Sequence, residues 1–330
     1  MAALRSQLTL RAFLALPPSV RVACRHSSTL STLKSFFSST TVSSFLTGTS
    51  VPPQSAHPPP PRPSQTASTP PPTPSSAAPP SSVNPSEVSH FNALASSWWD
   101  PHGPSRLLHL MNPHRHTFIR ACLSSTVTPP PPDQRLKYLD IGCGGGIFAE
   151  SAARLPSTLS VTAIDPSPEV LAVAQAHRRC DPLLTRPGRL TYLNTSVEGL
   201  PAPRGRDDQY DVVTLFEVLE HIERPAAFLA NILPHVRPGG WFVCSTIART
   251  WTSWLTTKVV AEEVIRLVPR GTHEWSQYVD EEELRAWFAK QEGWGNPRAM
   301  GVVYVPGLGW REVKGSEKLG NYFFAVRKDE

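Results

Sequence analysis

Asp140-Ile-Gly-Cys-Gly-Gly-Gly146 follows a short apolar stretch, Leu136 to Leu139, and runs into Ile147-Phe-Ala-Glu-Ser-Ala-Ala-Arg154, whose pattern reads as a helix. The segment is a strand, a glycine turn and a helix start. Glycine lets backbone N–H groups approach a ligand closely, and a helix N-terminus favours a carboxylate or phosphate there. A nucleotide-type cofactor is the expectation. The dinucleotide spacing G-x-G-x-x-G, counted from Gly142 and Gly144, requires glycine at position 147, where the chain has Ile147. The pyrophosphate reading is thereby weakened, and with it an NAD-dependent oxidoreductase. The glycines stand instead as D-x-G-x-G-x-G, at Asp140, Gly142, Gly144 and Gly146.

Outward from this turn the chain reads as alternating strands and helices: Lys137 to Ile141 with Phe148 to Ala153, Ser160 to Ile164 with Pro168 to His177, Leu190 to Thr195, and Tyr210 to Phe216 with Pro225 to Val236. Such alternation predicts an α/β fold, a mostly parallel sheet with helices on both faces. Arg237-Pro-Gly-Gly240 is expected as a turn leading into the strand Trp241 to Ser245. Two helices are expected earlier, over Ser89 to Leu110 and Pro113 to Leu123. Beyond an insertion at 251–275, an acid-capped helix is expected over Asp280 to Ala289. Ala299 to Val305 and Asn321 to Arg327 read as a closing antiparallel hairpin.

Charge is unevenly placed. The 330 residues carry 32 Lys and Arg against 27 Asp and Glu, yet no acid precedes Glu87, while Arg5, Arg11, Arg21, Arg25, Lys34 and Arg62 do. The excess positive charge belongs to the leader, so the basic balance is no argument for nucleic-acid binding by the folded part. Residues 1–50, Arg-bearing, acid-free and rich in Ser, Thr, Ala and Leu, resemble a mitochondrial transit peptide and leader. Residues 51–86, rich in Pro, Ser and Thr, read as a disordered linker. The rest, 87–330, is long enough for one domain, with N-terminal helices over 87–125. The five cysteines show no C-x-x-C pair, which fits a reduced compartment. No stretch approaches the ~20 apolar residues of a membrane span.

Asp165 ends the second strand, 19 residues after Gly146, where a carboxylate can accept ribose hydroxyls or simply cap the next helix. Glu217, Glu220 and His221 bring two carboxylates and an imidazole to the mouth of the sheet. Hard oxygen ligands suit Mg²⁺, and a catechol would add two more. The same triplet equally suits a site packed without metal, with His221 as general base. The two roles of His221 compete for one lone pair. His273 is a second base candidate. Trp251 to Val268, with Trp254 and Leu255 beside Lys258 and Arg266, reads as an amphipathic helix, either a lid or a contact with a bilayer surface.

The glycine motif resembles motif I of the class I S-adenosylmethionine (SAM) methyltransferases, a Rossmann-like fold. The flanking segments are similar to one branch, the ubiquinone-biosynthesis O-methyltransferases: Phe91-Asn-Ala-Leu-Ala-Ser-Ser-Trp-Trp-Asp-Pro101, Leu108-His-Leu-Met-Asn-Pro-His-Arg115, Phe216-Glu-Val-Leu-Glu-His221 and Pro269-Arg-Gly-Thr-His273. The resemblance covers nearly all of Phe91 to Glu283. It implies SAM contacts at Arg115, Gly142, Asp165 and Phe216, within the loop that also holds Gly144 and Gly146, and Mg²⁺ at Glu217, Glu220 and His221. It also implies a polyprenylated catechol or quinol acceptor, peripheral contact with the matrix side of the mitochondrial inner membrane, and a place in a multi-subunit biosynthetic complex. Read from the residues alone, Arg115 could equally be a solvated helix charge, and Phe216 a core side chain. The branch usually has Asn where this chain has Ala248. A small-catechol O- or C-methyltransferase, or a non-catalytic scaffold, are the alternatives; a scaffold would need neither the glycine loop nor the acidic triplet.

Overall fold

The computed structural model describes residues 82–125, 134–249 and 278–330. The leader, most of the linker, the 251–275 insertion and His273 lie outside them.

Eight strands form one sheet in the order β3-β2-β1-β4-β5-β8-β6-β7. They are β1 (Leu136–Ile141), β2 (Thr158–Asp165), β3 (Leu190–Asn194), β4 (Tyr210–Phe216), β5 (Val236–Ile247), β6 (Trp294–Val305), β7 (Gly309–Glu312) and β8 (Asn321–Lys328). The first five pair in parallel. β8 runs antiparallel to both β5 and β6, and β7 antiparallel to β6. The expected closing hairpin is present, with one addition: the short β7 inside its connection.

Successive side chains of a strand face opposite sides, and both sides are covered. Tyr138, Val212, Trp241 and Phe323 point into one core, with Met111, Phe118 and Phe148. Their neighbours Leu139, Val213, Phe242 and Phe324 point into the other, with Phe228, Leu284 and Phe288. Hence the central strands read as continuous apolar runs. Helices α2 (Arg106–Leu123) and α3 (Ile147–Ala153) serve the first layer, α5 (Pro225–Ile232) and α6 (Glu281–Phe288) the second. α1 (Pro85–Leu94) and α4 (Pro168–Arg178) are joined by Ser167 Oγ, which donates to Asn92 Oδ1 at 2.5 Å.

Four sequence expectations are corrected. α1 starts at Pro85 behind the N-cap Asn84, inside the stretch read as linker. The single helix expected to Leu110 breaks after Ser97 and resumes at Arg106, because the Trp98 to Ser105 segment turns to meet the glycine loop. α2 runs through Pro113 instead of starting there. Interior proline costs about 3 kcal/mol, but Pro113 sits on the exposed face while Met111, Arg115, Phe118, Ile119 and Cys122 form a buried stripe across it. Finally, Arg237-Pro-Gly-Gly240 lies inside β5: the pairing with β4 jumps from Tyr210↔Val236 to Val212↔Trp241, so the four residues are a bulge in a strand.

α6 is capped as its acids suggest: Asp280 and Glu283 form a reciprocal capping box. Its Phe288 stacks among Phe242, Trp294 and Phe324, with centroids 5.6–5.8 Å apart. Phe288→Ala should therefore cost about 3–5 kcal/mol of folding stability, read as a lowered urea midpoint. A shift under about 1 kcal/mol would mean that this core collapses to fill the void.

Candidate active site

The carboxyl ends of parallel strands carry the ligands of open α/β sheets. Here that edge opens on a cavity of about 690 Å³. Its wall includes Asp140, Gly142 and Gly144 after β1, Asp165 after β2, Phe216, Glu217, Glu220 and His221 after β4, and Arg115 from α2. The structure thus brings together the sequence-predicted residues it describes, except Gly146, which caps α3 behind the wall with φ 88°.

The glycine loop is tightly constrained. Gly142, Gly144 and Gly146 have φ of 67°, 53° and 88°, the left-handed region. Asp165 reaches back to the loop: its Oδ2 accepts from Gly144 N and its Oδ1 from Ser167 N, both at 2.9 Å. Burial pushes its pKa upward, and those two backbone donors hold it part of the way down. Beyond Asp165, Thr195, Ser196 and Val197 also line the cavity.

Two tryptophans that the sequence offered only as marks of resemblance, Trp98 and Trp99, hold this loop. A Cβ on Gly144 would lie 2.4 Å from Trp98 Cζ2, and one on Gly145 2.3 Å from Trp98 Cδ1, so these glycines make room for an indole. Trp99 Nε1 donates to the Gly145 carbonyl at 2.9 Å, and its ring stacks on His177 at 3.5 Å. His177 in turn bonds the fully buried Glu150 at 2.9 Å. Glycines with this pattern and a nearby Trp-Trp pair were visible; their contact was not.

Arg115 and Asp140 are the unusual charges. Both are buried, and Arg115 Nε and Asp140 Oδ2 have no hydrogen-bond partner among the described residues. Buried polar atoms seldom stay unpaired, so these two atoms mark a place built for a polar ligand. The guanidinium lies over the Phe216 ring at 4.8 Å. Phe216 also packs on Phe148 and Phe323, so it belongs to the core while lining the cavity. Burial lowers the Arg115 pKa against the pull of Glu217, Asp140 and Glu220. Burial likewise pushes Asp140 up to about 7, although Thr214 Oγ1 donates to it at 2.7 Å.

That shift carries a pH dependence. A carboxyl with pKa 3.8 when unperturbed and about 7 when folded keeps a proton that the unfolded chain has lost. Its contribution to stability is complete below pH 3.8 and is lost as pH rises through 7. The melting temperature of Asp140→Asn relative to the parent should therefore rise with pH across that window, a comparison that cancels groups common to both. A flat difference would mean that Asp140 titrates normally.

Glu217 adopts φ 57°, uncommon for a residue with a side chain, and its N–H donates to the Ser245 carbonyl at 3.0 Å. Its Oε1 accepts from Ser245 Oγ at 2.6 Å, and Glu220 Oε2 accepts from the buried Thr246 Oγ1 at 2.8 Å. Burial, then the neighbouring Glu217, push Glu220 up to about 7. His221 Nδ1 meets Glu87 Oε2 of α1 at 2.8 Å. Burial would lower its pKa, but Glu87, Glu220 and Glu217 together raise it. Neither the strand-end hydroxyls nor Glu87, the first residue of the expected N-terminal helices, was singled out as a site residue from sequence.

Among the described residues no three or more His, Cys, Asp or Glu side chains are gathered as a ready metal site. The carboxylate pair nonetheless has the chemistry for a hard cation: two acids that repel each other, each with a second oxygen outside the bonds just described. His221 could reach such an ion only through Nε2, its Nδ1 being held by Glu87. Ala248, at the end of β5, is buried and brings no polar side chain.

A family model for a methyltransferase domain matches residues 111–294. The chain is 45% identical over 258 residues to the mitochondrial ubiquinone biosynthesis O-methyltransferase of Schizosaccharomyces pombe, covering 75% of this chain and 87% of that protein. It is 38% identical over 256 residues to the ubiquinone biosynthesis O-methyltransferase of Caulobacter vibrioides, covering 75% and 96%. Among solved structures, the magnesium protoporphyrin IX methyltransferase of Synechocystis shares the fold, with TM-score 0.51 and 14% identity over 73% of this chain and 97% of that one. With a sheet of this order, a glycine loop in place and relatives of this identity, the chain is a SAM-dependent methyltransferase and belongs to the ubiquinone-biosynthesis O-methyltransferase family.

Proposed function

We propose that this protein transfers the methyl group of SAM to a catechol hydroxyl of polyprenylated ubiquinone precursors, 3,4-dihydroxy-5-polyprenylbenzoate and 3-demethylubiquinol, with Mg²⁺ assisting. The observation that carries this reading is that the glycine loop, Asp165 and the Glu217–Glu220 pair face one cavity. Asp165 would accept from the ribose hydroxyls. Arg115 would pair with the methionyl carboxylate through its unpartnered Nε, and Asp140 with the ammonium. Donor and acceptor are then held for direct displacement. The phenolic oxygen attacks the sulfonium methyl; the C–O bond forms as the C–S bond breaks, its electrons leave with the neutral thioether of S-adenosylhomocysteine, and the phenolic proton passes to His221 or, in the second assignment, His273.

Glu217, Glu220 and His221 would hold Mg²⁺, which when bound lowers the phenol pKa and orients the two catechol oxygens. As a ligand His221 would not be the base, so the two roles remain alternatives. The relative from Schizosaccharomyces pombe is named as mitochondrial, and among the described residues no helix is long and apolar enough to cross a membrane. We place the protein at the matrix face of the mitochondrial inner membrane, as a peripheral component of a ubiquinone-biosynthesis complex. The membrane contact is assigned to the 251–268 segment; loss of liposome flotation in Trp254→Ser with Leu255→Ser is the expected result, and undiminished flotation would remove that role.

The deciding assay is transfer from labelled SAM to a short-prenyl dihydroxybenzoate, with and without EDTA and restored Mg²⁺. Transfer that EDTA abolishes and Mg²⁺ restores supports the whole reading. Transfer indifferent to EDTA removes the metal, transfer only to small catechols changes the acceptor, and no transfer favours a scaffold.

A further inference from the structure

The composition of the cavity wall changes along the sheet. The strand order sets this axis: Gly142–Gly144 and Asp165 sit over β1 and β2, the acids over β4, and the remaining wall over β5, β8, β6 and β7. From β4 to β6 is three strand spacings, about 14 Å at roughly 4.8 Å each. At this far end the described lining includes Leu107 and Met111 of α2 and Val302, Tyr304, Pro306 and Trp310 of the β6–β7 hairpin, with no charged side chain among them.

That end is held in place. Trp310 Nε1 donates to the Leu107 carbonyl at 3.0 Å, and His114 Nε2 meets the Trp310 carbonyl at 3.1 Å, so the hairpin is fastened to α2 at two points. Tyr304 packs edge-on against Trp310, centroids 5.5 Å apart. The rim of the hairpin stays apolar where it meets water: Val303 is 40% exposed and Leu308 63%. Neither exposure helps the fold, since each leaves a large apolar side chain in solvent.

We propose that this far end is a binding site for a linear isoprenoid chain, running from the acceptor ring over β4, along the apolar wall that α2 and the β6–β7 hairpin form together, and out past Val303. The inference rests on the acceptor proposed above and adds where its tail is bound: on the hairpin, opposite the SAM end of the cavity. The roughly 14 Å from β4 to β6 accommodates several isoprene units, and the continuity of this apolar wall with the reaction cavity makes the tail of the substrate its occupant.

The test uses the full chain and a catechol bearing a farnesyl chain with a photoactivatable diazirine in place of one methyl-bearing unit. Labelled peptides should come from Leu107–Met111 and Val302–Trp310; labels confined to other peptides overturn the site. In parallel, Val303→Asp, at a position 40% exposed, should lower the ratio of kcat/KM for the farnesylated to the tail-free catechol about tenfold, because a charge then borders the apolar chain, with an unchanged circular dichroism spectrum showing that the fold survives. An unchanged ratio overturns the proposal, as does an equal loss on both substrates. Should the parent methylate neither catechol, the proposed reaction fails while the labelling pattern still decides the tail site.

Discussion

Glu217→Gln is expected to lower methyl transfer about a hundredfold or more, while SAM affinity stays within about threefold of the parent. Glutamine keeps the shape and can still accept from Ser245 Oγ, so the strand end should remain intact. What goes is one negative charge at the centre of the cavity, beside Glu220 and between the cofactor loop and the apolar end. With Mg²⁺, that charge is half of the carboxylate pair; without it, the charge still favours proton loss toward His221. Single-turnover transfer from labelled SAM, with equilibrium dialysis for SAM binding, separates the two effects. Transfer within threefold of the parent would show that the Glu217 charge takes no part in the reaction. Glu220→Gln should show the same loss, with the Thr246 bond retained.

Asp165→Ala should weaken SAM binding about a hundredfold, equivalent to about 2.7 kcal/mol. A hydrogen bond to a charged group is worth about 1.5–3 kcal/mol, and in the proposed complex the carboxylate accepts from two ribose hydroxyls. The loss also reaches the protein itself, since Gly144 N and Ser167 N lose their acceptor and the loop loses its tether to β2. Calorimetric titration with SAM gives the affinity, and an unchanged circular dichroism spectrum shows that the fold survives. Asp165→Asn, which keeps one carbonyl oxygen, should fall between parent and alanine. Affinity within threefold of the parent in the alanine variant would place the ribose elsewhere.

Local pattern was enough for much of this protein. The β1 strand, its glycine turn and α3 are signalled by residues adjacent in sequence, and the capping acids of α6 act within one turn. Each is settled over a few residues. Arg237-Pro-Gly-Gly240 reads identically as a turn or as a bulge, and the choice depends on β4 alongside it. Pro113 marks a helix start by propensity and an interior position by packing, because the stripe from Met111 to Cys122 is buried by distant strands. The residues Trp98, Trp99 and Glu87 acquire their meaning only from Gly144, Gly145 and His221, which lie 46, 46 and 134 positions away.

The amino-acid sequence by itself determined the alternation of β1 to β5 with their helices, the glycine turn after β1, and the family, because these reside in local conformational preference and in residue identity. Tertiary structure alone decided that Arg115 and Asp140 share a cavity with unpartnered buried atoms, that His221 is held by Glu87, and that the cavity ends in an apolar wall. Burial, electrostatic neighbours and open space belong to the packed chain, and no stretch of sequence contains them.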